Sequence, residues 1–120
     1  MKNKTLVLGA SEKPDRYSNM AILKLLNYGH EVVAVGNKVG MVKTIPIVKE
    51  AISNPDIDTV TMYLNPQNQK PYYDYILSLH PRRIIFNPGT ENTELERMAA
   101  KKGIDTIEAC TLVLLGTGQY

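Results

Sequence analysis

Gly9-Ala10-Ser11-Glu12-Lys13-Pro14-Asp15-Arg16 follows the apolar run Leu6-Val7-Leu8 and leads through Tyr17 and Ser18 into a segment of helical spacing. A backbone bare of large side chains at Gly9 and Ala10 lets a ligand approach closely, and a helix N-terminus beyond it offers unpaired N–H groups and a partial positive charge. With Lys13 and Arg16 alongside, these are the parts of a phosphate cradle. Ser11 and Pro14 stand where dinucleotide binders carry later glycines, so the Gly-x-Gly-x-x-Gly fingerprint is not met. A tight strand-to-helix turn with solvated cations is the structural alternative.

A second chemically informative place follows Val32-Val33-Ala34-Val35, where folds that bind NAD set an acid against the ribose diol. Here the residues are Gly36-Asn37-Lys38. A cation there suits a phosphorylated ribose, which Lys38 neutralises and Asn37 hydrogen-bonds. Coenzyme A and NADP both carry such a group; a plain surface lysine after a turn is the alternative reading.

Other polar residues gather at further turns. Leu64-Asn65-Pro66 and Asn87-Pro88-Gly89-Thr90-Glu91-Asn92 each join a strand to a helix, with Thr90 a candidate cap and Asn92 a residue that can face the cleft. Cys110 is the candidate reactive thiol, although a lone cysteine in apolar surroundings more often packs as a small hydrophobe. His30 and His80 sit in turns, and neither joins a nucleophile, a carboxylate pair or a metal-ligand spacing. No catalytic residue and no metal site is read from these patterns.

These residues need a scaffold that brings separated loops together. Runs rich in β-branched residues near 4–8, 31–35, 59–64, 83–86 and 104–108 predict buried parallel strands. Between them Met20 to Leu26, Tyr72 to Leu77 and Leu95 to Ala99 recur at helical spacing, with Tyr72, Tyr73 and Tyr75 on one helix. Gly29 and Gly103 mark helix C-termini. Residues 36–58 are less regular: Met41-Val42 reads as a weak edge strand, and Thr44-Ile45-Pro46 before Ile47, Val48, Ala51 and Ile52 reads as a short capped helix. Alternating strands and helices predict a doubly wound α/β sheet in three layers, with ligands at the carboxyl ends of the strands.

At 120 residues, 43% hydrophobic and 22% charged, the chain has the size of one domain, spanning 1–120. The formal charge of +2 is spread along it, which argues against nucleic acid or a membrane surface as partner. One cysteine excludes an internal disulfide framework and suits a reducing compartment, so the expected location is cytoplasmic. The apolar stretch near the start ends at Ala10, too short for a secretory core or a membrane span.

Leu8-Gly9-Ala10-Ser11 with Pro14, Arg16 and Ser18, then Gly29-His30-Glu31-Val32 and Val35-Gly36-Asn37-Lys38, resemble the bacterial CoA-binding domain family, stand-alone relatives of the nucleotide-binding domain of the succinyl-CoA synthetase α-subunit. The resemblance continues through Ile57 to Val60, Leu64-Asn65-Pro66, Phe86 to Asn92 and Glu108-Ala109-Cys110. The chain departs from the family's usual Val-Asn-Pro by reading Val35-Gly36-Asn37, and from Asp-Arg-Cys by reading Glu108-Ala109-Cys110. The resemblance implies a Rossmann-like domain that binds coenzyme A or an acyl-CoA without catalytic residues of its own, as a carrier, sensor or accessory protein. It implies pyrophosphate at Gly9, Ala10, Ser11, Lys13, Pro14, Arg16 and Ser18, ribose phosphate at Asn37 and Lys38, and pantetheine along Leu64, Asn65 and Pro66. Gly89 and Asn92 complete the expected cofactor-binding set. The competing readings are an NADP-binding domain of oxidoreductase type, and an interaction module, such as a homodimer or the subunit of an unidentified partner, with a vestigial cleft.

Overall fold

The computed structural model describes residues 4–51 and 54–120. Strand β1 (Thr5–Leu8) leads to helix α1 (Tyr17–Asn27), then β2 (Val32–Val35), β3 (Gly40–Val42) and β4 (Ile45–Val48). After β5 (Thr59–Met62) come α2 (Pro66–Gln69), a 3-10 turn (Lys70–Tyr72), α3 (Tyr73–Ser78), β6 (Arg83–Phe86), α4 (Thr93–Lys101), β7 (Asp105–Glu108) and α5 (Thr111–Gly116). The sheet order is β3-β4-β2-β1-β5-β6-β7, parallel except where β3 meets β4. This is the α/β, Rossmann-like fold that the alternation of apolar runs predicts.

Both faces of the sheet are covered, which is why its central strands read as continuous apolar runs. Because strand side chains alternate, Leu6 and Leu8 fall on one face with Val60, Met62, Ile84 and Phe86, under Ile76 and Leu77 of α3 and Leu95 and Ala99 of α4. Val7 points the other way, with Val32, Ala34 and Ile47, under Ile22 and Leu25 of α1 and Leu115 of α5. Each fully buried aliphatic side chain contributes about 1.5–3 kcal/mol relative to exposure. Gly29 and Gly103 follow α1 and α4 at φ of 84° and 74°, the left-handed endings expected of them.

The segment 43–48 corrects the sequence reading. Instead of a capped helix, Ile45–Val48 is a strand that pairs in parallel with β2 and in antiparallel with β3. Lys43 turns the hairpin at φ 53°, a conformation that a glycine or asparagine would have signalled. Met41-Val42 is the edge strand expected, and Ile52 lies outside the described residues. Helix α5 occupies Thr111–Gly116 after Cys110, a stretch in which no element is read from the sequence.

At the amino ends of the strands, Tyr120 packs its ring 4.9 Å from that of His30 and under the guanidinium of Arg83, 4.4 Å from its centroid. His30 is half-buried, while His80 is exposed. All of this is remote from the opposite, carboxyl ends of the strands.

Candidate functional site

Register sets the height at which the loops leave the sheet. Leu8 pairs with Val35 on one side and Met62 on the other, so Gly9, Gly36 and Tyr63 emerge level with one another. The chain runs from β1 outward to β2, then returns to β5 on β1's other flank. The strand order thus reverses between β1 and β5, where doubly wound sheets open a crevice.

A cleft of about 780 Å³ opens there, within the range of small-molecule and cofactor sites. Its walls include Gly9, Ala10, Ser11, Lys13 and Arg16 from the first loop, Asn37 and Lys38 from the second, and Leu64 from the third. The first two loops touch closely. The N–H groups of Gly9 and Ala10 both donate to the Val35 carbonyl, at 2.8 and 3.0 Å, and a Cβ on Gly36 would lie 2.3 Å from the Ala10 carbonyl oxygen. Gly9, at φ 98°, turns under Tyr63, whose carbonyl carbon would be 2.9 Å from an added Cβ. Both glycines therefore serve close backbone approach, as a cradle requires.

The first loop is fastened from behind. Lys13 N–H donates to the Ser11 hydroxyl at 3.1 Å, and buried Asn19 donates from Nδ2 to the Ser11 carbonyl at 3.0 Å. No side chain caps the N-terminus of α1 at Arg16. With Lys13, Arg16 and Lys38 on the walls, the donor set fits a polyphosphate ligand. Asn19 carries no signal in the sequence beyond being polar on a predicted helix.

Six of the residues expected to bind, and the candidate thiol Cys110, fall outside the walls. Pro14 is exposed within the first loop, and Ser18 is buried on the inner side of α1. Asn65 accepts the Asn68 N–H at 2.9 Å as the cap of α2, which Pro66 begins. Gly89 gives its N–H to Glu91 Oε1 at 3.0 Å. Asn92, not Thr90, caps α4, accepting the Leu95 N–H at 3.1 Å; Thr90 instead donates its hydroxyl to the Asn87 carbonyl. Cys110 precedes α5, half-buried, and does not line the cleft.

Two buried amides, Asn87 in the loop after β6 and Gln69, which sequence reasoning did not single out, tie the neighbouring loops together from outside the cleft lining. Asn87 donates to Thr61 Oγ1 and the Met62 carbonyl, both at 2.8 Å, and accepts the Thr111 N–H at 2.8 Å. Gln69 donates to the Leu64 and Thr90 carbonyls at 2.9 and 2.8 Å, while its Oε1 accepts from Asn92 Nδ2 at 2.8 Å. This holds the Leu64 wall against the loop after β6.

Glu12, Tyr63, Asn68, Pro71 and Tyr72 also face the cleft. Tyr72 leaves the expected shared helix with Tyr73 and Tyr75, ending the 3-10 turn instead. The Tyr63 hydroxyl is buried beside Thr61, Thr111 and Cys110 without a well-formed hydrogen bond. Burial, then the neighbouring Cys110, pushes its pKa up to about 12.

Among the described residues no group of three or more His, Cys, Asp or Glu could hold a metal, and no helix is long and apolar enough to cross a membrane. No curated protein matches the chain. It is similar over its whole length to a crystal structure described as an uncharacterized protein, at 48% identity and TM-score 0.98, covering 99% of that chain. A hypothetical protein from Pyrococcus horikoshii OT3 shares the fold at 24% identity and TM-score 0.84, over 93% of this chain and 80% of that one. So does a dinucleotide-forming acetyl-coenzyme A synthetase from Candidatus Korarchaeum cryptofilum, solved with phosphate and ADP; at 16% identity and TM-score 0.74, the match covers 89% of this chain and 25% of that one. Residues 3–116 match the sequence model of the CoA binding domain, and the chain belongs to that family.

Proposed function

We propose that the chain binds coenzyme A or an acyl-CoA in the cleft at the β1–β5 switch point, acting as a carrier, sensor or accessory protein. Membership of the CoA binding domain family supports the ligand class. The observation that carries the assignment to this cleft is the joining of Lys13 and Arg16 on one loop with Asn37 and Lys38 on the next, across glycines too tightly packed to bear a side chain. In this reading Ser11, Lys13 and Arg16 hold the pyrophosphate, Lys38 neutralises the ribose phosphate, and Leu64 lies along the pantetheine arm. Cys110 stands behind Tyr63 and takes no part in binding.

Thermal unfolding with added ligand tests the reading. A ligand at 100 times its Kd stabilises a protein by about 2.7 kcal/mol, which raises the melting temperature of a domain this size by roughly 10 °C. CoA is expected to give such a shift. No shift with CoA, beside a clear shift with NADPH, would replace this reading with an oxidoreductase-type cofactor site.

A further inference from the structure

Among the cations of the cleft stands one carboxylate whose place needs explaining. Glu12 lines the cleft together with Lys13, Arg16 and Lys38. Its Oε2 accepts the backbone N–H of Met41 at 2.8 Å, so the first loop reaches over to the free edge of β3. Gly40 permits this: a Cβ there would come within 2.4 Å of Glu12 Cγ and 2.3 Å of Cδ. An acid beside a polyphosphate is repulsive unless it meets a hydrogen-bond donor of the ligand.

In dinucleotide-binding folds an acid at the end of the second strand accepts the ribose hydroxyls. Here β2 runs into Gly36-Asn37-Lys38, and no acid follows it. The Met41 bond brings Glu12 to the strand next along in sequence, beyond Lys38, so the carboxylate arrives at the ribose end of the cleft from the first loop instead. A phosphorylated ribose keeps one free hydroxyl beside its phosphate, and this pair of charges matches that pair of groups.

From this juxtaposition we infer that Glu12 is a specificity-determining residue: anchored on Met41, it accepts the hydroxyl hydrogen of the ribose whose phosphate Lys38 neutralises. The inference rests on the CoA reading above. It makes the site selective for a nucleotide with one phosphate and one adjacent free hydroxyl on the same ribose. Glu12 thereby also sets the distance between the first loop and the β3–β4 hairpin.

The test is calorimetric titration of CoA and 2′-deoxycoenzyme A into the wild type, Glu12→Ala and Glu12→Gln, each checked for folding by thermal melting. The wild type is expected to prefer CoA by on the order of tenfold, the value of one hydrogen bond to a charged acceptor. Glu12→Ala should bind both ligands equally, and Glu12→Gln, still an acceptor but uncharged, should fall between. A purely structural latch would weaken both ligands alike and leave their ratio untouched. An equal ratio in wild type and Glu12→Ala therefore overturns the role given to Glu12 while leaving CoA binding intact; failure of the wild type to bind CoA overturns both.

Discussion

Asn87 accepts the backbone N–H of Thr111 at 2.8 Å, and through its amide it also holds Thr61 and the Met62 carbonyl. One side chain, 2% exposed, thus ties β5, the end of β6 and the start of α5 together. The hydroxyls of Thr61 and Thr111 complete the arrangement at 2.7 Å. Asn87→Ala would leave the Thr111 N–H and the Met62 carbonyl buried without this partner, at about 1–3 kcal/mol for each group left unsatisfied. A fall in melting temperature of roughly 10 °C is expected. A fall of less than a few degrees would mean that water or Thr61 replaces the lost bonds.

Tyr63 supplies the opposite case. Its hydroxyl is buried without a well-formed hydrogen bond, so removing it removes a desolvation cost rather than a bond. Tyr63→Phe keeps the ring on the cleft wall and is expected to be neutral or to stabilise by about 1 kcal/mol in chemical denaturation, with CoA affinity unchanged. A loss of CoA affinity in this variant would make the hydroxyl a ligand contact.

The two glycines Gly36 and Gly89 separate packing from backbone strain. A Cβ on Gly36 meets the Ala10 carbonyl oxygen at 2.3 Å, whereas one on Gly89 meets nothing within 4 Å and is disfavoured only by φ of 92°. Gly36→Ala should push the first two loops apart, costing about 1–3 kcal/mol of stability and most of the affinity for CoA. Gly89→Ala should cost about 1 kcal/mol and leave affinity unchanged. Equal losses of binding in the two variants would remove the reason for placing the phosphates between these loops.

The difference between those glycines shows what the sequence reveals and what it hides. Strands β1, β2, β5 and β6 and the first loop are legible because these strands carry apolar residues buried on both faces and because Gly9 and Ala10 interrupt one such run, whereas the edge strand β7, expected to be buried, is mostly exposed. The hairpin at Lys43 is hidden, since a lysine occupies the left-handed position where turn residues are expected. Gly89 and Asn92 look like site residues because polar loops after strands are where ligands bind; in the folded chain Asn92 caps α4 instead, giving Nδ2 to Gln69 and to the Tyr73 hydroxyl at 2.8 Å. Glu12 is equally hard to read, because its importance depends on β3 lying beside the first loop, a tertiary relation with no local signal.

Titration offers a further check of local electrostatics. Burial, and then the neighbouring Glu108, raise the Glu96 carboxyl above its usual value, with Glu91 adding to the effect. A raised carboxyl disfavours the folded state once it ionises, so its contribution is fully present below the unfolded value of 4.5 and is lost as pH rises through the folded value. Glu96→Gln is therefore expected to raise the melting temperature by about 1–3 °C at pH 7, with the gain vanishing near pH 4. Asp58 behaves with opposite sign: burial raises its carboxyl, but the Arg82 pair, Thr59 and the charge of Arg83 outweigh this and lower it, so its contribution is lost as pH falls below 3.8. A Glu96→Gln gain that is independent of pH would exclude the repulsion from Glu108 as its cause.

The most direct measurement is calorimetric titration of the wild type and Lys38→Ala with CoA, dephospho-CoA and NADPH. The account predicts that the wild type binds CoA at micromolar Kd or tighter, about −8 kcal/mol, and more tightly than dephospho-CoA. Lys38→Ala should lose that preference, by on the order of tenfold, while retaining affinity for dephospho-CoA through Lys13 and Arg16. The account is contradicted if CoA gives no binding heat while NADPH binds at micromolar concentration, or if Lys38→Ala distinguishes CoA from dephospho-CoA as well as the wild type does.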